Sequence, residues 1–352
     1  MWIAKQLREI GADSVAVHRF RSQASWVPAH LSHIALGLVA NLLPGRIARL
    51  ASAGVAVSYE LDVSGRNHWL RRLLPAGNGV SVSARIDALT SPRHTLVLVA
   101  HHDAAHNGVL WQPPATAISR MLGRHTGSNL PSHALSLVAL ISSVLPFRAT
   151  RYATRAVLVV AALLMIQSVR SYTTPGAGDN ASGVAVILEL ARRLQKNPLP
   201  YTEVLLVFPG GEEAGNTGMR AWLRGALPQL APETTLVVNL DAVGSGGRLA
   251  VAKREGLTGF FAGRDVALAC RAAADEAIEL MPVAIPNCTD AVIAELAGLR
   301  TISLLSYEDG WISNLHLDSD TVENMDWNTT QDAVALTERL ADRWNAAVGS
   351  DA

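Results

Sequence analysis

The sequence predicts a three-layer α/β/α sandwich on a mostly parallel central sheet, interrupted by inserted apolar helical hairpins. Two observations carry that expectation. From Gly79 onward, short β-rich runs alternate with helical patterns, and several runs are apolar throughout, as strands covered on both faces are. Outside this alternation lie four apolar runs that read as two helical pairs joined by short turns containing Pro and Arg.

The strands are expected at 79–86 (GVSVSARI), 95–100 (TLVLVA), 203–208 (EVLLVF), 235–240 (TLVVNL), 248–252 (RLAVA) and 301–305 (TISLL). Helices are expected at 182–195, 215–224, 264–280, 290–297 and 331–348. In the last, Val334, Thr337, Leu340, Ala341, Trp344 and Val348 keep the i, i+3, i+4 rhythm, while Asp332, Glu338, Asp342 and Arg343 stand off that stripe. This is the pattern of a surface helix closing a sheet. The apolar runs are 31–43, 48–57, 134–145 and 156–166. The domain reading is one catalytic domain over 1–352, with insertions 29–75 and 108–172.

Composition narrows the partners. The chain has 30 basic and 30 acidic residues, so no net charge argues for a nucleic acid. Cys270 and Cys288 are too few for a disulfide framework or a thiolate metal site, so a metal would need His and carboxylate ligands. The stretch MWIAKQLREIGADSV has charges and no apolar core of signal-peptide length, so a cytoplasmic location is expected.

His and carboxylates recur where strands end. TLVLVA runs into His101-His102-Asp103, EVLLVFPGG into Glu212-Glu213 and TLVVNL into Asp241. Asp179 opens a helix in DNASG, and His316 follows the strand 301–305. In an α/β sheet such ends share one rim, so these groups can converge although distant in sequence. Taken alone, His101 could be a satisfied polar group, Asp179 a helix cap, and the Glu pair an acidic first turn. Together, three carboxylates and two imidazoles suit two divalent ions that share one carboxylate.

These segments resemble the co-catalytic zinc aminopeptidases, a family that includes bacterial leucine-type aminopeptidases and glutamate carboxypeptidases. The resemblance covers roughly 79–108 and 171–348 and rests on AHHDA (100–104), GAGDNASG (176–183), FPGGEEAGNTGMRAW (208–222), NLDAVG (239–244) and NLHLDSDT (314–321). It implies a zinc-exopeptidase fold and two Zn²⁺ ions, with another divalent metal conceivable in one site. The implied ligands are His101, Asp179 as the bridge, Glu213, Asp241 and His316. It further implies Asp103 as the carboxylate orienting His101, and Glu212 as general base. One departure stands in GAGDNASG, where Gly178 replaces an acidic residue that is not the usual ligand. His102 should point away from His101. Asp290, Tyr307 and His106 are weaker candidates for the substrate pocket.

The implied reaction is removal of N-terminal residues from short peptides. Paired metals would acidify a shared water, and Glu212 would pass its proton to the leaving amine. Glutaminyl cyclisation on the same ligand types is the alternative, and an inactive binding or scaffold homologue is a third reading. The second apolar pair lies between His101 and Asp179, so its base should emerge at the catalytic rim. The two pairs are therefore expected to form a helical subdomain that restricts substrates. Its outer face lacks a polar stripe and needs cover: self-association or packing within the chain ranks ahead of peripheral membrane contact. Arg148, Arg151 and Arg155 flank the second turn and suit solvent or lipid headgroups.

Overall fold

The computed structural model describes residues 1–126 and 133–347. Among these residues nine strands form one sheet: β1 Asp13–Ser22, β2 Gly77–Ile86, β3 His94–Val99, β4 Thr202–Phe208, β5 Thr235–Leu240, β6 Arg248–Glu255, β7 Gly259–Phe260, β8 Met281–Ile285 and β9 Arg300–Tyr307. Their order is β1-β2-β4-β3-β5-β9-β6-β7, and β8 pairs with β6. The centre, β4-β3-β5-β9, is parallel throughout, while β1, β2 and β7 pair antiparallel and β6 runs antiparallel to β9. All six residues of β3 and of β5 are buried, which explains the apolar stretches Leu96–Val99 and Leu236–Val238 at their centres.

Among the described residues, eleven α-helices accompany the sheet: α1 Trp2–Ile10, α2 Val27–Leu42, α3 Gly45–Val63, α4 Pro113–Thr126, α5 Ala134–Ser142, α6 Arg148–Arg170, α7 Gly183–Lys196, α8 Thr217–Ala226, α9 Gly263–Asp275, α10 Asp290–Leu296 and α11 Trp327–Ala346. One face carries α1, α7, α9 and α11, whose core includes Leu7, Ile187, Leu190, Ala269, Leu336 and Leu340. On the other, Met219 and Trp222 of α8 pack with Ile293 and Ala294 of α10 against Val97, Val207 and Val237. Three layers result.

Six strands and five helices stand where the sequence places them, with three kinds of difference. The strands β1, β7 and β8 lie at or near sheet edges: polar residues alternate through β1, while β7 has two residues and β8 five, too short to stand out as an apolar run. The helix expected to reach 280 stops at Asp275, because Met281 begins β8 beside β6. The closing helix starts at Trp327, capped by the Asp326 carboxylate, which accepts from the N–H groups of Asn328 and Thr329. Val348, expected at its end, lies outside the described residues, as does the start of the segment 130–170.

The apolar runs fold into α2, α3, α5 and α6; α3 and α6 continue beyond their apolar stretches through polar residues, while α5 stops short at Ser142. These helices pack on one another around Ile34, Tyr59, Leu140, Leu158 and Met165. Gly37 sets the closest approach: a Cβ there would sit 2.6 Å from Leu140 Cδ2 and 3.2 Å from Leu158 Cδ1. Arg151 and Arg155 tie the two turns together by donating to the carbonyl oxygens of Asn41 and Leu43. Since Leu140 and Leu158 are fully buried, Gly37→Val should overpack the bundle and destabilise the protein by about 1–3 kcal/mol. A calorimetric unfolding midpoint equal to wild type would show that the bundle yields without strain.

Candidate metal centre

The parallel centre delivers its carboxyl ends to one rim. From β3 the chain passes through Ala100 into His101, from β4 through Pro209-Gly210-Gly211 into Glu212 and Glu213, and from β5 directly into Asp241. His316 lies on the loop after β9, and Asp179 in the turn that opens α7. All five proposed ligands are buried and converge.

Asp179 stands between the two imidazoles. Its Oδ1 is 3.1 Å from His101 Nε2, and its Oδ2 is 3.2 Å from His316 Nε2. His101 Nε2 also faces Asp241 Oδ1 at 3.9 Å, while His316 Nε2 is 3.2 Å from Glu213 Oε1. Two groups follow, His101-Asp179-Asp241 and Asp179-Glu213-His316, and in each the donor atoms lie within 4.8 Å of one another.

Residues around the cluster fix this geometry. Asp103 accepts from the N–H of Glu212 at 3.2 Å and of Glu213 at 3.1 Å, so it holds the turn after β4 as well as facing His101. The Asn180 side chain donates to the Leu240 carbonyl and accepts from Ala242 N–H, joining the Asp179 turn to the strand end that carries Asp241. Ser182 donates to the Gly178 carbonyl. Asp320, which the sequence reading quoted within NLHLDSDT without a role, accepts from the N–H of Gly178 and of Asp179. The departure at Gly178 now has a reason: a Cβ there would meet Ser245 Oγ at 2.4 Å and Asp320 Oδ1 at 2.8 Å.

The charge balance calls for a cation. Burial lowers the His316 pKa, but Glu213 and Asp179 outweigh it and bring it up to about 10. His101 is likewise raised by Asp103, Asp179 and Asp241 against its burial. Imidazoles retain protons there because carboxylates outnumber them, and a divalent ion would meet the same demand with the ring nitrogens as ligands. The donor set, all N and O with no thiolate, fits zinc. Burial also pushes Glu212 well above the ordinary carboxylate range, helped by Glu213, Asp241 and Asp290.

Residues 158–341 match the profile of Peptidase family M28. The chain belongs to that family. The matched family is one of peptidases, and the buried His and carboxylate donors described above could hold a metal ion. Over 77 residues the M28 chain is 39% identical to the alkaline phosphatase isozyme conversion protein of Escherichia coli strain K12, a stretch covering 22% of each chain. Over 71 residues it is 37% identical to an aminopeptidase of Pseudomonas aeruginosa, covering 20% of this chain and 13% of that one. The match thus spans about a fifth or less of these relatives' length. The fold is similar to that of BSAP, a zinc aminopeptidase from Bacillus subtilis, at 15% identity and a TM-score of 0.54, covering 97% of this chain and 86% of that one. A glutaminyl cyclase from Fimbriiglobus ruber gives 15% identity and 0.53, covering 96% and 84%.

A cavity opens over the candidate metal centre of this M28-family chain. Glu212 lines it, and Asn216 donates to its carboxylate at 3.0 Å. Trp111, Trp311, Ile285, Ile312 and Leu315 make much of the wall apolar. Trp26, His30 and Val63, at the base of the helical bundle, complete one side. Trp111 sets the edge of its ring against His316, with centroids 4.1 Å apart.

Of the weaker candidates, Tyr307 lines the cavity, its hydroxyl donating to the Gly310 carbonyl at 2.8 Å. Asp290 and His106 are not on the wall. Asp290 is buried behind Asn216, where burial lifts its pKa to about 7, and the His106 ring faces the Ser171 carbonyl. His102 points away, to the Val80 carbonyl. The sequence reading missed Arg71, whose guanidinium contacts Asp62 at 2.8 Å and donates to the Ala214 carbonyl beside Glu213. An arginine within the stretch HWLRRLL carries no sequence signal for such a place.

Glu255 lies behind the cavity wall and accepts from Thr289 N–H at 2.8 Å. Burial raises its pKa from 4.5 to about 7. A carboxyl raised on folding destabilises the protein as pH climbs from the unfolded towards the folded value. Glu255→Gln removes that loss, so relative to wild type the variant should gain up to about 3 kcal/mol between pH 4.5 and pH 8. Denaturant titrations of both proteins across that range give the difference. A flat difference would mean that Glu255 is solvated.

Proposed function

We propose that the chain is an aminopeptidase with two zinc ions, removing large apolar residues from the N-termini of short peptides. The shared position of Asp179 between two ligand groups carries this reading. His101 and Asp241 would complete one site and Glu213 and His316 the other. Bound there, zinc supplies Lewis acidity that polarises the scissile carbonyl and makes water acidic enough to be deprotonated near neutral pH.

The chain's own residues do the rest. Glu212, at the cavity wall beside both groups, is the base that takes the water's proton and returns it to the leaving amine; Asn216 holds its carboxylate for that transfer. The carboxylates around the centre suit a substrate's free α-ammonium group, which favours an exopeptidase. The tryptophan and isoleucine wall takes the first side chain, and the base of α2 and α3 closes the cavity against longer or folded substrates.

Glu212→Gln should keep zinc and fold while kcat falls by about 10²–10⁴, whereas Glu213→Gln and Asp179→Ala should lose zinc, measured by metal analysis of dialysed protein. Equal, mild effects of the two Glu variants would end the distinction drawn between them. On a panel of aminoacyl-p-nitroanilides and dipeptides, Leu and Phe should lead at the N-terminal position. Conversion of glutaminyl peptides to pyroglutamyl products without hydrolysis would instead establish the cyclase reading. Zinc binding without either activity would indicate a scaffold.

A further inference from the structure

The end of the helical bundle remote from the cavity combines two features that the catalytic reading does not use. The first is exposed apolar surface on adjoining turns. Leu42, Ile47 and Leu50 around the α2–α3 turn are 67%, 59% and 76% exposed, and Phe147 and Tyr152 at the α5–α6 turn are 61% and 66% exposed. The contacts of Arg151 and Arg155 with the end of α2 place these residues at one tip. The flank continues the pattern, since Val138, Val160 and Leu163 are also exposed.

The second is charge. Between Gln23 and Glu60 and between Asp103 and Asp179 the chain has eight arginines and no Asp, Glu or Lys. Five of them, Arg46, Arg49, Arg148, Arg151 and Arg155, belong to the first two turns of α3 and α6 at the tip. The chain is neutral as a whole, so everything outside these two stretches carries a net charge of −8. Apolar side chains ringed by arginine, on a molecule otherwise acidic, complement an anionic bilayer and orient the tip towards it.

A second copy is the competing cover, and charge disfavours it. A two-fold contact would press this patch onto itself, bringing arginines together with no carboxylate to pair them. Helix lengths limit the depth. The 23-residue α6 is long and apolar enough to cross a membrane, with 28% of its most apolar window buried. Its antiparallel neighbour α5 has 9 residues, about 14 Å, which matches one leaflet and not the ~30 Å hydrocarbon core.

We propose that the tip of the helical bundle docks in one leaflet of an anionic membrane, seating Leu42, Ile47, Leu50 and Phe147 among the lipids with Arg46, Arg49 and Arg148 at the headgroups. The cavity, at the bundle's opposite end, then remains in water. This ordering of lipid ahead of a second copy reverses the sequence-based preference.

Flotation of the full chain with vesicles of phosphatidylcholine, with and without phosphatidylserine, tests it. The protein should float with the anionic vesicles and dissociate as salt rises. Ile47→Glu with Phe147→Glu should abolish flotation. Arg46→Glu with Arg148→Glu should weaken binding to the anionic vesicles by more than about tenfold. Both variants should keep the wild-type unfolding midpoint, and hydrolysis of a soluble substrate, if the catalytic reading holds, should be unchanged. No flotation with anionic vesicles, or flotation indifferent to both variants, overturns the proposal. So does a dimer in light scattering that Phe147→Glu dissolves, which would give the patch to a second copy. Retention through high salt and alkaline carbonate would replace one-leaflet docking with a spanning bundle.

Discussion

The centre depends on one carboxylate held between two imidazoles. Asp179 presents one oxygen to His101 and the other to His316, residues that enter from the end of β3 and from the loop after β9. A buried carboxylate is tolerated only when its charge is compensated, so its backbone must be fixed before a ligand arrives. Asp320 fixes it from one side through two N–H groups, and Asn180 from the other through the Leu240 carbonyl. The local backbone bears the consequence: Asn216, Ala242, Asn314 and His316 have positive φ without being glycine, all in or beside the site.

That arrangement explains why the helical bundle is more than an appendage. Arg71, on the segment returning from α3, pairs with Asp62 at the end of α3 and bonds to the Ala214 carbonyl in the turn that carries Glu212 and Glu213. The pair is buried, and removing one partner would strand the other charge, so the bundle's base and the turn that carries Glu212 and Glu213 are coupled energetically. Ser168, near the end of α6, bonds to the Asn107 carbonyl and anchors the second hairpin beside Trp111. The wall of the cavity and the frame of the bundle are therefore one structure.

The site was more legible than the fold around it. His101, Asp179, Glu213, Asp241 and His316 could be named because each adjoins a strand end or helix start with a sharp local pattern, and parallel strands send such ends to one rim. The central strands were legible for a related reason: burial on both faces leaves consecutive apolar residues at the centres of β3 and β5, Leu96–Val99 and Leu236–Val238. Edge strands lack that mark. Asp290 and His106 illustrate the limit on side-chain direction, since both lie near the centre in sequence terms yet turn away from the cavity.

By itself the sequence determined the alternation of strands and helices, the His and carboxylate chemistry of the candidate ligands and the presence of apolar helices needing cover. These are local properties, written in periodicity, turn residues and donor chemistry. Tertiary structure alone decided that Asp320, Asn180 and Arg71 hold the site, that Gly178 leaves no room for a side chain, and that two hairpin turns share one apolar, arginine-rich tip. Each depends on residues brought together from distant segments: the contacts exist only after the chain closes, and no spacing along the sequence encodes them.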